Sequence, residues 1–264
     1  YSDCNYSEGD DAFIHLTLDS NYDDSSGNNN NGNCVNCPSL IDGQIDGAVS
    51  FNGVSNFLEL GDLDLSLPIT LMSWVNINNK SKFSSIIQTD DSNKYSGAWL
   101  QVTPDNKIRA GFGDNGGAVS VNKRQAVASA NLIVEKEWHH LAATISSRDN
   151  IKIYVDGGLV SSSYDGTGES FVTTSDLFTV GRRTVYGINY FDGALDDLRV
   201  YTRALDSTEI TSIMLGTTDS VICIDSDGDG FNLSSEECGV ADCNDENNQV
   251  YPGAIELCDG LDND

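Results

Sequence analysis

Positive charge is what this chain most lacks: 14 Lys and Arg stand against 41 Asp and Glu, for a formal net charge of −27. Like-signed fields repel at the range where steering acts, so nucleic acid and anionic membrane surfaces are not expected as partners. Histidine is almost missing, with three residues. His15, His139 and His140 stand in no Ser-His-Asp or metal-ligand spacing, and His139 and His140, as strand neighbours, face opposite ways and cannot converge. No stretch matches a glycine-rich phosphate loop. No apolar run approaches the roughly 18 residues of a membrane span, so membrane insertion is not expected. No charged-then-apolar leader precedes Tyr1, and any export signal is expected to be gone already.

Cysteine is absent between Cys37 and Cys223. Cys4, Cys34 and Cys37 flank an Asn- and Gly-rich loop, while Cys223, Cys238, Cys243 and Cys258 lie near the C-terminus. Cysteines confined to the two ends read as staples, which places the chain in an oxidising compartment: extracellular, secreted or at a cell surface. Cys34-x-x-Cys37 is open to a redox or zinc reading, but no βαβ context or set of four soft ligands accompanies it. A local disulfide network with Cys4 is preferred.

What the chain does have is length and apolar content for one large β-domain with an appendage: 264 residues, 39% hydrophobic and 8% aromatic. Short alternating apolar segments separated by Gly, Asn, Asp and Ser predict strands at 12–18, 48–52, 57–60, 69–77, 84–88, 99–102, 108–112, 139–146, 151–155, 159–163, 177–180 and 193–201. Asp156 and Gly157 tolerate the positive φ of a tight turn and mark the clearest hairpin. Helical periodicity is nearly absent apart from one helix, capped by Asp206 with Glu209 three residues on, striped by Ile210, Ile213 and Met214, and ended by Gly216. The fold class is therefore all-β, a two-sheet antiparallel sandwich with one short helix over residues 1–218.

Beyond a boundary near 217–222, residues 219–264 hold 13 acids and no base. Such a segment cannot collapse by hydrophobic burial and needs cations and cross-links to hold it. Residues 225–236, DSDGDGFNLSSE, meet every specified position of a D-x-[DN]-x-[DN]-G-x₅-E calcium loop. Asp225, Asp227 and Asp229 offer hard carboxylates, Gly230 permits the turn, Phe231 offers its carbonyl and Glu236 closes the site. Calcium is thus the expected ion. Pairing Cys223 with Cys238, and Cys243 with Cys258, brackets one cation loop each.

Five stretches, GAVSFNGVSNFLELG at 47–61, ITLMSWVNI at 69–77, EWHHLAATIS at 137–146, IKIYVDGGLV at 151–160 and YFDGALDDLRVYTRALDSTEI at 190–210, together resemble the laminin-G-like jelly rolls of the concanavalin A-like lectin and glucanase superfamily. The resemblance implies a jelly roll, and it implies a calcium site with Asp196 at the last strand and Asp24 from the N-terminal segment. The Glu-x-Asp-x-x-Glu run of retaining glycosidases on this fold is missing, as are the Arg-x-Glu-x-Arg and Gln-Ile-His segments of its alginate-lyase-like members. No catalytic residue is assigned. Residues 242–264 resemble the acidic Cys-containing metal-binding repeat of secreted bacterial proteins, and loosely thrombospondin type 3 repeats. That resemblance implies a second cation nest at Asp242, Asn244 and Glu246 with Glu256, in a chain cut mid-repeat.

Together these readings predict a non-catalytic extracellular recognition module, calcium-dependent, with a glycan or surface polysaccharide as partner. The alternative is a structural component of an adhesin, fibre or layer, which would self-associate or dock on a surface protein. Recognition is expected first at Arg182, Tyr186, Asn189 and Tyr190, because residues 181–193 put bases, aromatics and an amide into one loop of an acidic domain. Tyr95 and Trp99 are the second candidate.

Overall fold

The computed structural model describes residues 11–79, 81–89, 95–117, 120–173, 177–183, 188–216 and 249. Two compact units are distinguished: Asp10–Met214, and Tyr1–Gly9 with Leu215–Asp264. The first is a sandwich of two eight-stranded antiparallel sheets.

With strands numbered in chain order, sheet A runs β13 (Gly158–Val160), β12 (Asn150–Val155), β11 (Trp138–Ser147), β6 (Ile69–Ile77), β16 (Asp192–Tyr201), β4 (Gly47–Asn52), β3 (Ser39–Asp42). The first strand, β1 (Ile14–Leu16), pairs with β16 beside β4. Sheet B runs β14 (Ser162–Asp165), β10 (Lys123–Ala128), β9 (Ile108–Gly113), β8 (Ala98–Val102), β7 (Ser84–Gln88), β15 (Leu177–Val180), β5 (Phe57–Asp62), β2 (Asn33–Val35).

Period-two alternation sends one set of side chains from each strand between the sheets. Leu141, Ala143 and Ile145 of β11 enter the inter-sheet core with Leu71 and Val75 of β6 and Leu100 and Val102 of β8. Each such leucine, isoleucine or valine side chain stabilises the fold by roughly 1.5–3 kcal/mol. Phe51 and Phe191 meet edge to face at 6.0 Å. Gly181, at φ +86°, lies under the Phe51 ring, where a Cβ would come within 2.5 Å of a ring carbon.

The outer face of sheet A has a core of its own. Met72, Ala142, Tyr154 and Tyr201 pack with Leu205 and Ile210, so helix α1 (Ser207–Met214) covers part of that face. Asp206 Oδ1 accepts from the backbone N–H groups of Thr208 and Glu209, and Glu209 Oε2 accepts from the Asp206 N–H. That is the reciprocal cap expected from the sequence. The Asp156–Gly157 turn also forms as expected, with φ of 50° and 77°.

Three departures from the expected strands occur. Residues 159–163 do not form one strand: the chain leaves sheet A at Val160 and joins sheet B at Ser162. Strands β2 and β3, with largely exposed or half-buried side chains, carry no apolar alternation that could announce them. Strand β10 opens with Lys123-Arg124-Gln125, a polar start that masks its apolar half. Cys34 and Cys37 are bonded to each other, in the link between the edge strands of the two sheets. This is the local disulfide expected of that pair in place of a zinc site; Cys4, Cys223, Cys238, Cys243 and Cys258 lie outside the described residues.

Candidate functional site

Sheet B presents a continuous cross-strand row on its outer face: Asn33, Glu59, Thr179, Gln88, Trp99, Gly111, Gln125 and Asp165. Polar residues on an outer face are expected to be solvated, yet Gln88 and Gln101 are 2% exposed and Ser85 is fully buried. They satisfy one another. Ser85 Oγ donates to Gln88 Oε1, Gln101 Nε2 donates to Ser85 Oγ and to Gln88 Oε1, and Arg109 Nε donates to Gln101 Oε1 at 2.7 Å. A network completed in this way rigidifies the sheet, because each member would otherwise cost a desolvation penalty.

Cations stack on aromatic rings around this face. The Arg109 guanidinium lies 4.6 Å from the Phe83 ring centre, and Arg182 lies 3.5 Å from that of Phe57. Lys123 and Arg183 both approach the half-buried Tyr95, each at 5.6 Å, and Tyr95 tilts against Trp99 at 5.8 Å. The fold thus joins the two expected recognition segments, since Arg183 from the 181–193 loop reaches Tyr95. Within that loop Arg182 also pairs with Glu59 at 3.4 Å. Tyr190 leans on Phe57 at 6.3 Å, and Asn189, at φ 56°, accepts the Ser85 N–H with its carbonyl. Tyr186 lies outside the described residues. Of the row's two carboxylates, Glu59 faces Arg182 and Asp165 meets Lys123 Nζ at 2.8 Å. They stand on β5 and β14, six strand spacings apart, or about 29 Å. A glycosidase pair sits within about 10 Å.

On sheet A the bulge in β16 decides the acid chemistry. Register is lost between Asp196 and Arg199, and Asp197 takes φ 46°, so adjacent acids are both buried. Asp197 is compensated: His15 Nε2 meets Oδ1 at 2.7 Å and Arg199 Nε at 3.1 Å. Burial pushes its carboxyl up, but His15 and Arg199 outweigh that and hold it below the ordinary value. Asp196 is not compensated. Its Oδ2 accepts the N–H groups of Gln44 and Ile45, both at 2.8 Å, while Oδ1 is buried with no hydrogen-bond partner. Burial, with the charges of Asp197 and Asp19, raises its pKa to about 7.

That orphaned oxygen fits a hard cation. The charge of Asp19 is felt at Asp196, Asp19 Oδ1 accepts the Gly47 N–H at 2.9 Å, and the close turn that brings residues 43–47 against both requires glycine. A Cβ on Gly43 would lie 2.7 Å from Asp196 Oδ2, and one on Gly47 would lie 2.4 Å from the Asp19 carbonyl. Among the described residues no cluster of three Asp, Glu, His or Cys side chains occurs, so further ligands at Asp196 would be carbonyls and water. Asp24 Oδ1 accepts from the N–H groups of His15 and Ser26 and Oδ2 from that of Asn30. Burial raises its pKa, but these bonds outweigh it and leave the net shift downward; Asp24 closes the Asn-rich loop. Sequence reasoning missed Asp19, whose only signal is its place just after β1. Asp225, Asp227, Asp229, Phe231, Glu236, Asp242, Asn244, Glu246 and Glu256 lie outside the described residues.

Two of the three histidines have acidic partners, His15 with Asp197 and His139 with Asp156 at 2.9 Å, pairings that strand topology makes and sequence spacing hides. His140 is fully buried edge-on to Trp74 at 5.4 Å, with both ring nitrogens unpartnered. Burial lowers its pKa to about 4, so it is neutral at pH 7.

Among solved structures, the binding domain of Paraclostridial Mosquitocidal Protein 1 is similar, at 17% identity and TM-score 0.61, over 78% of this chain and 52% of that one. Domain 4 of AbnA, an extracellular arabinanase from Geobacillus stearothermophilus solved with arabinotriose, is similar at 21% identity and TM-score 0.53, over 76% of this chain and 97% of that one. The binding domain of botulinum neurotoxin DC, solved with rat synaptotagmin II, is similar at 15% identity and TM-score 0.58, over 80% and 52%. The chain thus spans about half the length of the toxin domains it matches. At these identities the likeness is one of fold. No curated protein matches the sequence significantly. Residues 242–264 match the family model of a metal-binding motif named for copper binding. Residues 46–211, well over half of the chain, match the model of the concanavalin A-like lectin/glucanases superfamily, and the protein belongs to that family.

Proposed function

We propose that this protein is a non-catalytic, extracellular recognition module whose sandwich binds a glycan and is stiffened by calcium. The observation that carries the reading is the half-buried Tyr95, backed by the buried Trp99 and flanked by Lys123 and Arg183, on a polar sheet. Aromatic faces stack on pyranose rings while amide and guanidinium donors meet hydroxyls. Binding rather than cleavage is supported by the separation of Glu59 from Asp165. Similar domains, solved with arabinotriose, with a sialylated ligand and with synaptotagmin, lend the same direction. The test is a glycan array probed with the whole chain, in calcium and in EDTA, together with an assay for reducing ends. Binding that falls with Tyr95→Ala and releases no sugar is expected. New reducing ends, or no binding to any glycan, would reject the reading.

A cation at Asp196 and Asp19 would relieve the crowding of two carboxylates against Asp197. A site with Kd of about 10⁻⁴ M contributes roughly 1.4 kcal/mol in about 1 mM calcium. Copper is the rival suggested by the tail motif's family name, and competition between the two ions for the whole chain separates them. Asp196→Asn should abolish that part of the thermal stabilisation which belongs to the sandwich.

The assembly alternative has one observation in its favour. Edge strand β3 leaves Leu40 and Ile41 exposed, at 48% and 43%, and an open edge is a template for pairing. Concentration-dependent light scattering that vanishes on Ile41→Lys would favour it.

A further inference from the structure

On the other side of the sandwich, the outer face of sheet A carries a different row: Ser50, Ala194, Asn76 and Trp138 stand opposite one another on β4, β16, β6 and β11. Ala194 puts the smallest side chain in the middle, so the row sags there into an open groove of about 300 Å³, with Asp42, Asn78 and Lys136 on its margins. Gly193 keeps its floor low, for a Cβ there would lie 2.1 Å from the Asn76 carbonyl.

The polar atoms of this groove are uncommitted. On sheet B the glutamines and serine bond to each other; here the Ser50 hydroxyl, the Asn76 amide and the Trp138 indole N–H have no hydrogen bond, and Asp42 and Lys136 no ion pair, among the described residues. Asn78 alone makes a long bond, 3.4 Å to Asp192. Amide, hydroxyl and indole donors converge beside an aromatic surface without net charge, since Asp42 and Lys136 cancel. That mixture matches a ligand with many hydroxyls and an apolar ring face, not an extended apolar peptide and not a polyanion, which the chain's charge of −27 repels. A volume near the lower end of small-ligand sites holds about one or two sugar residues.

We infer that this groove is a second carbohydrate site, for a neutral saccharide, on the face opposite Tyr95 and Trp99. The inference rests on the glycan-binding reading but uses different residues, and two sites on opposite faces make the module bivalent.

The experiment follows the three indole ¹⁵N–¹H signals of the whole chain during titration with arabinotriose and other neutral trisaccharides, up to about 10 mM, the concentration range of weak single-site binding. The expected result is that at least one sugar moves the Trp138 signal and leaves that of Trp99 in place. Asn76→Ala and Lys136→Ala, which break no internal bond, should each weaken that binding about tenfold. Tyr95→Ala should leave it unchanged, and Trp138→Ala should abolish it. If no neutral sugar moves the Trp138 signal while the array still shows binding sensitive to Tyr95→Ala, the groove is overturned and the glycan reading stands. If sugar binding at Trp138 survives Asn76→Ala unchanged, or only peptides move that signal, the groove is overturned as a saccharide site.

Discussion

The two outer faces of the sandwich are built from the same residue types and end in opposite states. On sheet B, Ser85, Gln88, Gln101 and Arg109 occupy neighbouring register positions and close a hydrogen-bonded layer. On sheet A, Ser50 and Asn76 are held apart by Ala194, and their polar atoms face the groove. A polar side chain on a strand becomes structural when its cross-strand neighbour can reach it, and stays available to a ligand when a small residue intervenes. Another part of the outer face of sheet A is covered by α1 and forms a core, while the groove lies open.

The largest expected effect tests the covered half. Ile210→Ala removes a fully buried side chain from the second core and should cost about 2–5 kcal/mol in a denaturant titration. A cost under about 1 kcal/mol would mean that α1 only rests on the sheet.

Next comes His140, in the same face. Its pKa falls on folding from 6.5 to about 4. Between these values the unfolded chain binds the extra proton, so stability is lost as pH drops through that window. By linkage His140 should cost up to roughly 3 kcal/mol across it. Subtracting the profile of His140→Leu from that of the wild type isolates this contribution from the carboxylates, and identical profiles in the two proteins would refute it.

A smaller effect sharpens the contrast itself. Gln101→Leu removes the acceptor of Arg109 Nε and the donor to Ser85 Oγ and Gln88 Oε1 and should destabilise by about 1–3 kcal/mol. Smallest of all, Asn76→Ala breaks nothing within the protein and should change stability by less than about 0.5 kcal/mol while lowering sugar affinity. Equal costs at Gln101 and Asn76 would erase the distinction between a closed face and an open one.

Much of this protein is determined by local sequence. Alternation in 69–77 and 108–112 locates strands because burial of one face demands period two. The Asp206–Glu209 cap and the Asp156–Gly157 turn are legible because both depend on residues at most three apart. What only the tertiary structure decides is which distant residues meet. Asp19 comes within electrostatic reach of Asp196, and Asp24 accepts the backbone N–H groups of His15 and Asn30. His15 finds Asp197, 182 residues away. Ser50, Asn76, Ala194 and Trp138 form one row only through the strand order β4–β16–β6–β11. Sequence specifies the period and the turn chemistry; registry between strands far apart in the chain is set by how two twisted sheets close over a shared core, and the binding surfaces follow from that registry.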